Sequence, residues 1–337
     1  MKKRILITGA SGFIGGWLVK EALQREYDVW AGVRRGSSRE HLQDERIRFI
    51  CLPYDDPDAL TKQLREVVAA TGAWHYVVHN AGVTKTLTMS AFYTVNALYT
   101  RTLINSLSEA DCRPLKFLLI SSLSSYGPVC ETSNRSIRTD DEQKPDSLYG
   151  QSKLLAERFV KEQTGFDYVV LCPTGVYGPG DQDYLMELKS IQSGFDFKMG
   201  LKPQRIMFIY VKDFAVATFQ ALEKLSVRNA TYFVSDGDVY TDHAFAGIVK
   251  ELLGKRFVFS MRVPLWLGYV ACVCSEWAGK IFKRTMTLNA DKYHILRQRN
   301  WVCETGKTCR DFDFTPQYNL RKGLEETIRF NKEKGIM

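Results

Sequence analysis

Residues 4–24 read RILITGASGFIGGWLVKEALQ, two periodicities joined by glycines. RILIT is a short β-rich run, and FIGGWLVKEALQ carries apolar residues at helical spacing. The join holds Gly9, Gly12 and Gly15 in a GxxGxxG spacing, with Ser11, Phe13 and Ile14 between them. Glycines at a strand–helix junction permit a sharp turn, close approach of backbone to a pyrophosphate, and close packing of helix on strand. The helix start that follows offers free N–H groups and the positive end of its dipole to an anion. These residues are therefore expected to form the phosphate loop of a dinucleotide site.

The same alternation continues outward. YDVWAGV (27–33), IRFICL (47–52), WHYVVHN (74–80), LKFLLISS (115–122) and FDYVVLC (166–172) read as strands. PDALTKQLREVVAA (57–70), SAFYTVNALYTRTLINSLSEA (90–110) and the stretch from LYGQSK to about Gln163 read as helices. Apolar strands alternating with helices predict an α/β fold with a doubly wound parallel sheet, its ligands at the carboxyl ends of the strands. After Tyr177 the pattern loosens into loops such as YGPGD and GLKPQ, as a smaller C-terminal substrate lobe would. The cofactor domain is expected over 1–178 with a returning segment at about 212–238, and the substrate lobe over 179–211 and 239–337.

The second strand ends in VRRGSS. Where folds that hold a ribose 2′-hydroxyl place Asp or Glu, this chain has Val33 followed by Arg34 and Arg35. A guanidinium suits the 2′-phosphate of NADP, so NADP is the expected cofactor, with NAD the alternative. LYGQSK (148–153) sets Tyr149 and Lys153 four apart, on one helix face. Ser122, in ISSLSSYG, ends the fifth strand at the crevice edge. A free phenol, with a pKa of about 10, is a poor base at neutral pH. A nearby ammonium favours the phenolate, so Lys153 is expected to lower the pKa of Tyr149. Ser122 would orient a substrate oxygen.

In combination these residues resemble the extended short-chain dehydrogenase/reductase superfamily, with its NAD-dependent epimerases and dehydratases. The matching stretches are TGASGFIG (8–15), HNAG (79–82), Asn96, SSLSSYG (121–127), YGQSK (149–153), PTGVYGPGD (173–181) and FIYVKD (208–213). The resemblance implies a seven-stranded NAD(P)-binding Rossmann fold and an NAD(P)-dependent enzyme, with Ser122, Tyr149 and Lys153 catalytic. It further implies cofactor contacts from Asn80, Ala81, Gly82 and Asn96, from Tyr149 and Lys153, and from Pro173, Thr174 and Val176. Two positions depart from the family pattern. The adenine-contacting acid falls on Pro53, leaving that contact to Tyr54 or Asp55, and the usual arginine before PTGVYG is Cys172.

Family members acting on nucleotide sugars tend to carry asparagine at the place of Gly175 and arginine at the place of Ile206, although Arg205 is adjacent. Dehydratases place Asp-Glu where this chain has Leu123 and Ser124. These losses, with the apolar aromatic stretch VPLWLGYVACVCSEWAGKIF (263–282), look more like the 3β-hydroxysteroid dehydrogenase and dihydroflavonol reductase branch. The expected reaction is hydride transfer between the nicotinamide and a hydroxyl or carbonyl of a small hydrophobic substrate. Nucleotide-sugar epimerase or dehydratase is the alternative, and a non-catalytic NADP-binding regulator is the rival from another class. The 263–282 stretch is expected to line or cover the substrate pocket, with Trp266 against substrate. A buried core helix, a subunit contact or a membrane-surface contact flanked by Arg262, Lys280, Lys283 and Arg284 are its other readings.

Composition bounds the rest. With 337 residues, 45% hydrophobic and 25% charged, the chain is globular. Its net charge of +8 is dispersed with no block of like charges, which argues against a nucleic-acid partner. Eight cysteines without zinc spacing imply no metal site and fit a reducing cytoplasm, with Cys272 and Cys274 expected to be buried thiols. No signal peptide or membrane span is expected, and a homodimer is.

Overall fold

The computed structural model describes residues 2–129, 131 and 133–337. Cys130 lies outside them. In chain order the first part contains β1 (Arg4–Thr8), α1 (Phe13–Gln24), β2 (Asp28–Val33), β3 (Arg48–Cys51), α2 (Pro57–Thr71), β4 (Tyr76–His79), α3 (Met89–Tyr93), α4 (Tyr99–Glu109), β5 (Lys116–Ile120), α5 (Leu148–Glu162) and β6 (Asp167–Pro173). There follow β7 (Gly175–Tyr177), α6 (Asp183–Gln192), β8 (Phe195–Met199), β9 (Arg205–Ile206), β10 (Phe208–Tyr210), α7 (Val211–Glu223) and β11 (Ala230–Val234). The last part holds β12 (Tyr240–Thr241), α8 (Asp242–Leu252), β13 (Phe259–Val263), α9 (Leu265–Ile281), α10 (Ala290–Arg297), β14 (Asn300–Trp301), α11 (Gly306–Phe312) and α12 (Leu320–Glu333).

Seven strands form one parallel sheet in the order β11-β6-β5-β4-β1-β2-β3. Strand residues alternate between its faces. Ile5, Ile7, Val78, Leu118 and Val169 enter the core shared with α1 and α7. Leu6, Val77, Phe117, Leu119 and Val170 enter the core shared with α2, α4 and α5. Burial on both faces explains why these strands read as continuous apolar runs. The strand order reverses beside β1, between β1 and β4, where a doubly wound sheet opens its crevice.

The sequence periodicity predicts one helix over 90–110. The structure keeps one continuous helical run over 89–109 and widens it in the middle, as α3, a π-type turn at Thr94–Leu98, and α4. The turn carries Asn96, whose side-chain oxygen accepts from the Val83 N–H at 2.7 Å and whose amide donates to Ser152 Oγ at 2.9 Å. Beyond β6 the chain builds small sheets, β7–β10, β8–β13 and β12-β9-β14. Their helices share a third core that includes Tyr177, Leu188, Phe208, Phe245 and Leu324.

α9 meets its expectation in part: its inner side lines the large cavity, but it is not a buried helix. Only Gly268, Cys272 and Gly279 are buried, and Trp266 stands 70% exposed. Leu267, Gly268, Ala271 and Cys272 face the large cavity, but Trp266 does not. Cys274, expected to be buried, is exposed because it lies on the outer side of the same helix.

Candidate active site

A cavity of about 1720 Å³ runs from the carboxyl ends of β1 and β4 to the small sheets beyond β6. One end is walled by Gly9, Ser11, Gly12, Phe13 and Ile14. Gly9 has φ +64°, and a Cβ there would stand 2.8 Å from the backbone of Asn80 and Ala81. Gly15 does not reach the cavity. A Cβ on it would meet the Gly9 carbonyl oxygen at 2.1 Å, so its bareness lets α1 sit tightly on β1. α1 starts with no side-chain cap and no acid in its first turn, which leaves its N–H groups open toward the cavity.

Behind this loop Thr8 ties two strands together. Its hydroxyl accepts the N–H of Asn80 at 3.2 Å and of Ala81 at 3.1 Å, and lies 2.8 Å from His79 Nδ1. His79 Nε2 stands 3.0 Å from Thr100 Oγ1. Full burial, helped by the charge of Lys153, pushes the His79 pKa down to about 3, so the ring is neutral at physiological pH. Asn80, Ala81 and Gly82 line the cavity. Asn96 was expected to touch cofactor, but it is buried behind that wall with its polar atoms committed to Val83 and Ser152. It braces the Asn80–Val83 turn against α5.

Ser122, Tyr149 and Lys153 meet on the cavity wall. Ser122 follows β5 and caps a single 3₁₀ turn, its hydroxyl accepting from Ser124 N–H at 3.1 Å. Tyr149 and Lys153 project from the first turns of α5. The N-terminus of α5 is held by Ser147 Oγ, accepting from Gly150 N–H at 3.1 Å, and by Asp291 of α10. The Asp291 carboxylate accepts from Leu148 N–H at 2.5 Å and from Tyr149 N–H at 3.2 Å. Lys153 Nζ donates to the Ile120 carbonyl at 2.9 Å and would stand 3.3 Å from a Cβ on Gly82.

The electrostatics here reverse one expectation. Tyr149 faces the cavity but is closely walled in, and desolvation pushes its pKa up to about 12, against a lowering hydrogen bond from Ser122. Lys153 does not lower it. Burial brings the lysine itself down to about 8, and its Nζ is engaged by the main chain. Asp183 adds negative potential at the phenol, itself bonded by Lys85 at 3.3 Å and Lys292 at 3.5 Å.

Arg34 is exposed, lines the cavity beside Ser37 and His41, and makes no ion pair among the described residues. Arg35 is also exposed but does not line the cavity. Tyr54 is buried on the wall, stacked on Tyr99 with ring centroids 4.9 Å apart. Asp55 lies off the wall, its carboxylate accepting from the Tyr99 hydroxyl. Of the two substitutes for the missing acid, only Tyr54 therefore reaches the cavity. Cys172 is buried beside Glu157, whose carboxylate also takes bonds from Ser121 and Gln143.

Toward the small sheets, Pro173, Thr174, Gly175 and Val176 continue the wall, with Thr174 N–H bonded to the Val234 carbonyl at 3.1 Å. A Cβ on Gly175 would lie 2.1 Å from the Tyr184 hydroxyl. Ile206 faces the cavity, whereas Arg205 turns outward to the Asn134 carbonyl. Sequence reasoning missed Tyr184, Asp183 and Asp291. It also missed Glu187, a wall carboxyl that burial raises to about 7. None lies in a local motif, and only the fold brings them to the site.

Comparison with known proteins agrees with this geometry. The model of the NAD dependent epimerase/dehydratase family matches residues 5–234. The human 3 beta-hydroxysteroid dehydrogenase type 7 is 30% identical, over 96% of this chain and 94% of its own length. The UDP-glucose 4-epimerase of Vibrio cholerae is 25% identical, over 98% of this chain and 95% of its own. The crystal structure of UDP-glucose 4-epimerase from Thermotoga maritima, determined with UDP-glucose, superposes with a TM-score of 0.76 at 19% identity, covering 98% of this chain and 99% of that one. The family match spans the phosphate loop, the serine turn, the tyrosine–lysine helix and the closing strand β11, and so the chain belongs to the NAD-dependent epimerase/dehydratase family of the extended short-chain dehydrogenase/reductase type.

Proposed function

We propose that the protein transfers a hydride between a nicotinamide cofactor and a hydroxyl or carbonyl carbon of a small hydrophobic substrate, a steroid- or flavonoid-like alcohol or ketone. The observation that carries this reading is the Tyr184 hydroxyl, which fills the space a side chain at 175 would need. With Ile206 inward and Arg205 outward, the wall there lacks both the asparagine and the arginine expected of a sugar-nucleotide site. The cofactor domain would comprise 1–178 with the returning 212–238, and the substrate lobe 179–211 and 239–337.

The open N–H groups of α1 and the bare Gly9–Gly12 turn fit a pyrophosphate. Arg34, exposed on the cavity wall with no ion pair among the described residues, would be available to a 2′-phosphate, which supports NADP over NAD. When bound, the nicotinamide supplies or accepts the hydride. The remaining work falls to the chain. Ser122 donates a hydrogen bond to the substrate oxygen and orients it. The Tyr149 phenol gives a proton to that oxygen in reduction and takes it back in oxidation. Lys153, one helix turn beyond Tyr149 and close to Gly82, steadies the ribose.

The likeness to the Vibrio epimerase over nearly the whole chain keeps nucleotide-sugar epimerisation as the second reading. One experiment separates the two. A panel of hydrophobic ketones and alcohols with NADPH or NADP is followed by nicotinamide absorbance, beside a binding screen of UDP- and dTDP-sugars. Net, substrate-dependent change of absorbance supports the proposal. Tight sugar-nucleotide binding with no net cofactor turnover overturns it.

A further inference from the structure

A 17-residue helix that is apolar all round belongs inside a core, yet α9 has only three buried residues, all on one side. Its outer side carries Trp266, Val270, Val273, Trp277 and Ile281, spaced as one continuous helical stripe. Trp266 and Trp277 are 70% and 67% exposed, and Phe282, just past the helix, is 72% exposed. Cations flank the helix along the chain. Lys280 stands in its last turn, Lys283 and Arg284 follow it, and Lys255 and Arg256 stand exposed before β13. Between residues 252 and 290 the sole carboxylate is Glu276, committed to Lys280 at 2.7 Å and to the Ala290 N–H at 3.1 Å.

We propose that the outer face of α9 docks the protein onto the surface of an anionic lipid bilayer. The chemistry matches on each count. Tryptophans toward both ends of the stripe suit the boundary between headgroups and acyl chains, where an apolar ring meets a polar N–H. The basic fringe meets phosphate headgroups. No described helix is long and apolar enough to cross a membrane, so α9 lies in the interface plane. A second copy of this chain is the poorer occupant, because this surface offers no free carboxylate to the cations it would meet. The inner side of α9 borders the cavity through Leu267 and Ala271, so a lipid-dissolved substrate would have a short path from bilayer to site. That path alone rests on the proposed reaction; the docking does not.

The test is co-sedimentation of the full chain with vesicles of phosphatidylcholine alone and of phosphatidylcholine with phosphatidylglycerol, with light scattering of the free protein. The protein should pellet with the phosphatidylglycerol vesicles, and less so as salt rises. Lys283→Ala with Arg284→Ala should weaken partitioning about 25-fold, roughly fivefold per charge. Trp266→Ser with Trp277→Ser should weaken it at least about tenfold through lost apolar burial. Cofactor titration of each variant, unchanged from the parent, shows that the fold is intact. Failure of the parent protein to bind either vesicle overturns the proposal, as does binding unaffected by the tryptophan changes. Self-association lost with the two tryptophans, without vesicle binding, would assign the face to a second copy.

Discussion

Tyr149→Phe removes one oxygen from the cavity wall and, with it, the group proposed to exchange a proton with substrate. Turnover should fall by about 10²–10⁴-fold while cofactor affinity, read by titration, stays within about twofold. Lys153→Ala should impair both, since its ammonium lies between the helix and Gly82. Activity retained in Tyr149→Phe would remove the phenol from the reaction. Arg34→Ala should lower NADP affinity about 10- to 100-fold and leave NAD affinity nearly intact. Arg35→Ala, off the cavity wall, should do little, and the NADP preference should shrink with salt. His79 offers a separate pH signature. Its folded pKa of about 3 lies below the ordinary 6.5, so the unfolded chain binds the proton more readily. The stability from keeping the ring neutral is present above pH 6.5 and lost as pH falls toward 3. Between pH 7 and 5 that loss is roughly 2 kcal/mol. Denaturation midpoints over this range should be less pH-dependent in His79→Gln, and an identical slope would deny His79 the role.

At the level of elements, α5 carries Tyr149 and Lys153 and is held from two directions, by its own Ser147 and by Asp291 of α10. Asp291→Ala leaves two N–H groups without their acceptor, at a cost of about 1 kcal/mol, as for a lost helix cap. Thermal unfolding should drop by a few degrees and kcat should fall through misplacement of Tyr149, with cofactor affinity almost unchanged. Asp291→Asn, which keeps one acceptor, should recover part of kcat. A kcat equal to the parent in Asp291→Ala would show that α5 needs no second support. The start of α5, its tyrosine and its lysine were legible in LYGQSK, but Asp291 lies more than a hundred residues away and no local pattern announces it. The same contrast runs through the molecule. The sheet strands follow from apolar runs, and α1 from its glycine join and helical spacing. The π-type turn was hidden because Asn96 opens the helix by bonding to Val83, a tertiary event. Trp266 was misassigned because apolar spacing around all of α9 does not say which side meets the protein. Lys153 was expected to acidify the phenol because spacing reveals proximity but not burial, and burial dominates both groups.

For the whole molecule, the sheet is completed from beyond the small lobe. β6 is flanked by β5 on one side and on the other by β11, which the chain reaches only after passing through β7 to α7. The register pairs Ala230 with Val169 and Val234 with Pro173. Thr174 donates its N–H to Val234, so the cavity wall is anchored to that late strand. A chain ended before Ala230 should therefore lose both its sheet edge and its cofactor affinity and self-associate in light scattering. A monomeric, cofactor-binding truncation would refute this dependence. Synthesis on the ribosome sets the same condition in time. Strand β6, DYVVLCP, is made and emerges while its partner is still unwritten. At about 5–20 residues per second the gap lasts roughly 3–12 s. For that interval every nascent copy presents one open edge of an apolar strand, a template for its neighbours on the same message, and its safe passage depends on what shields that edge until Val234 arrives.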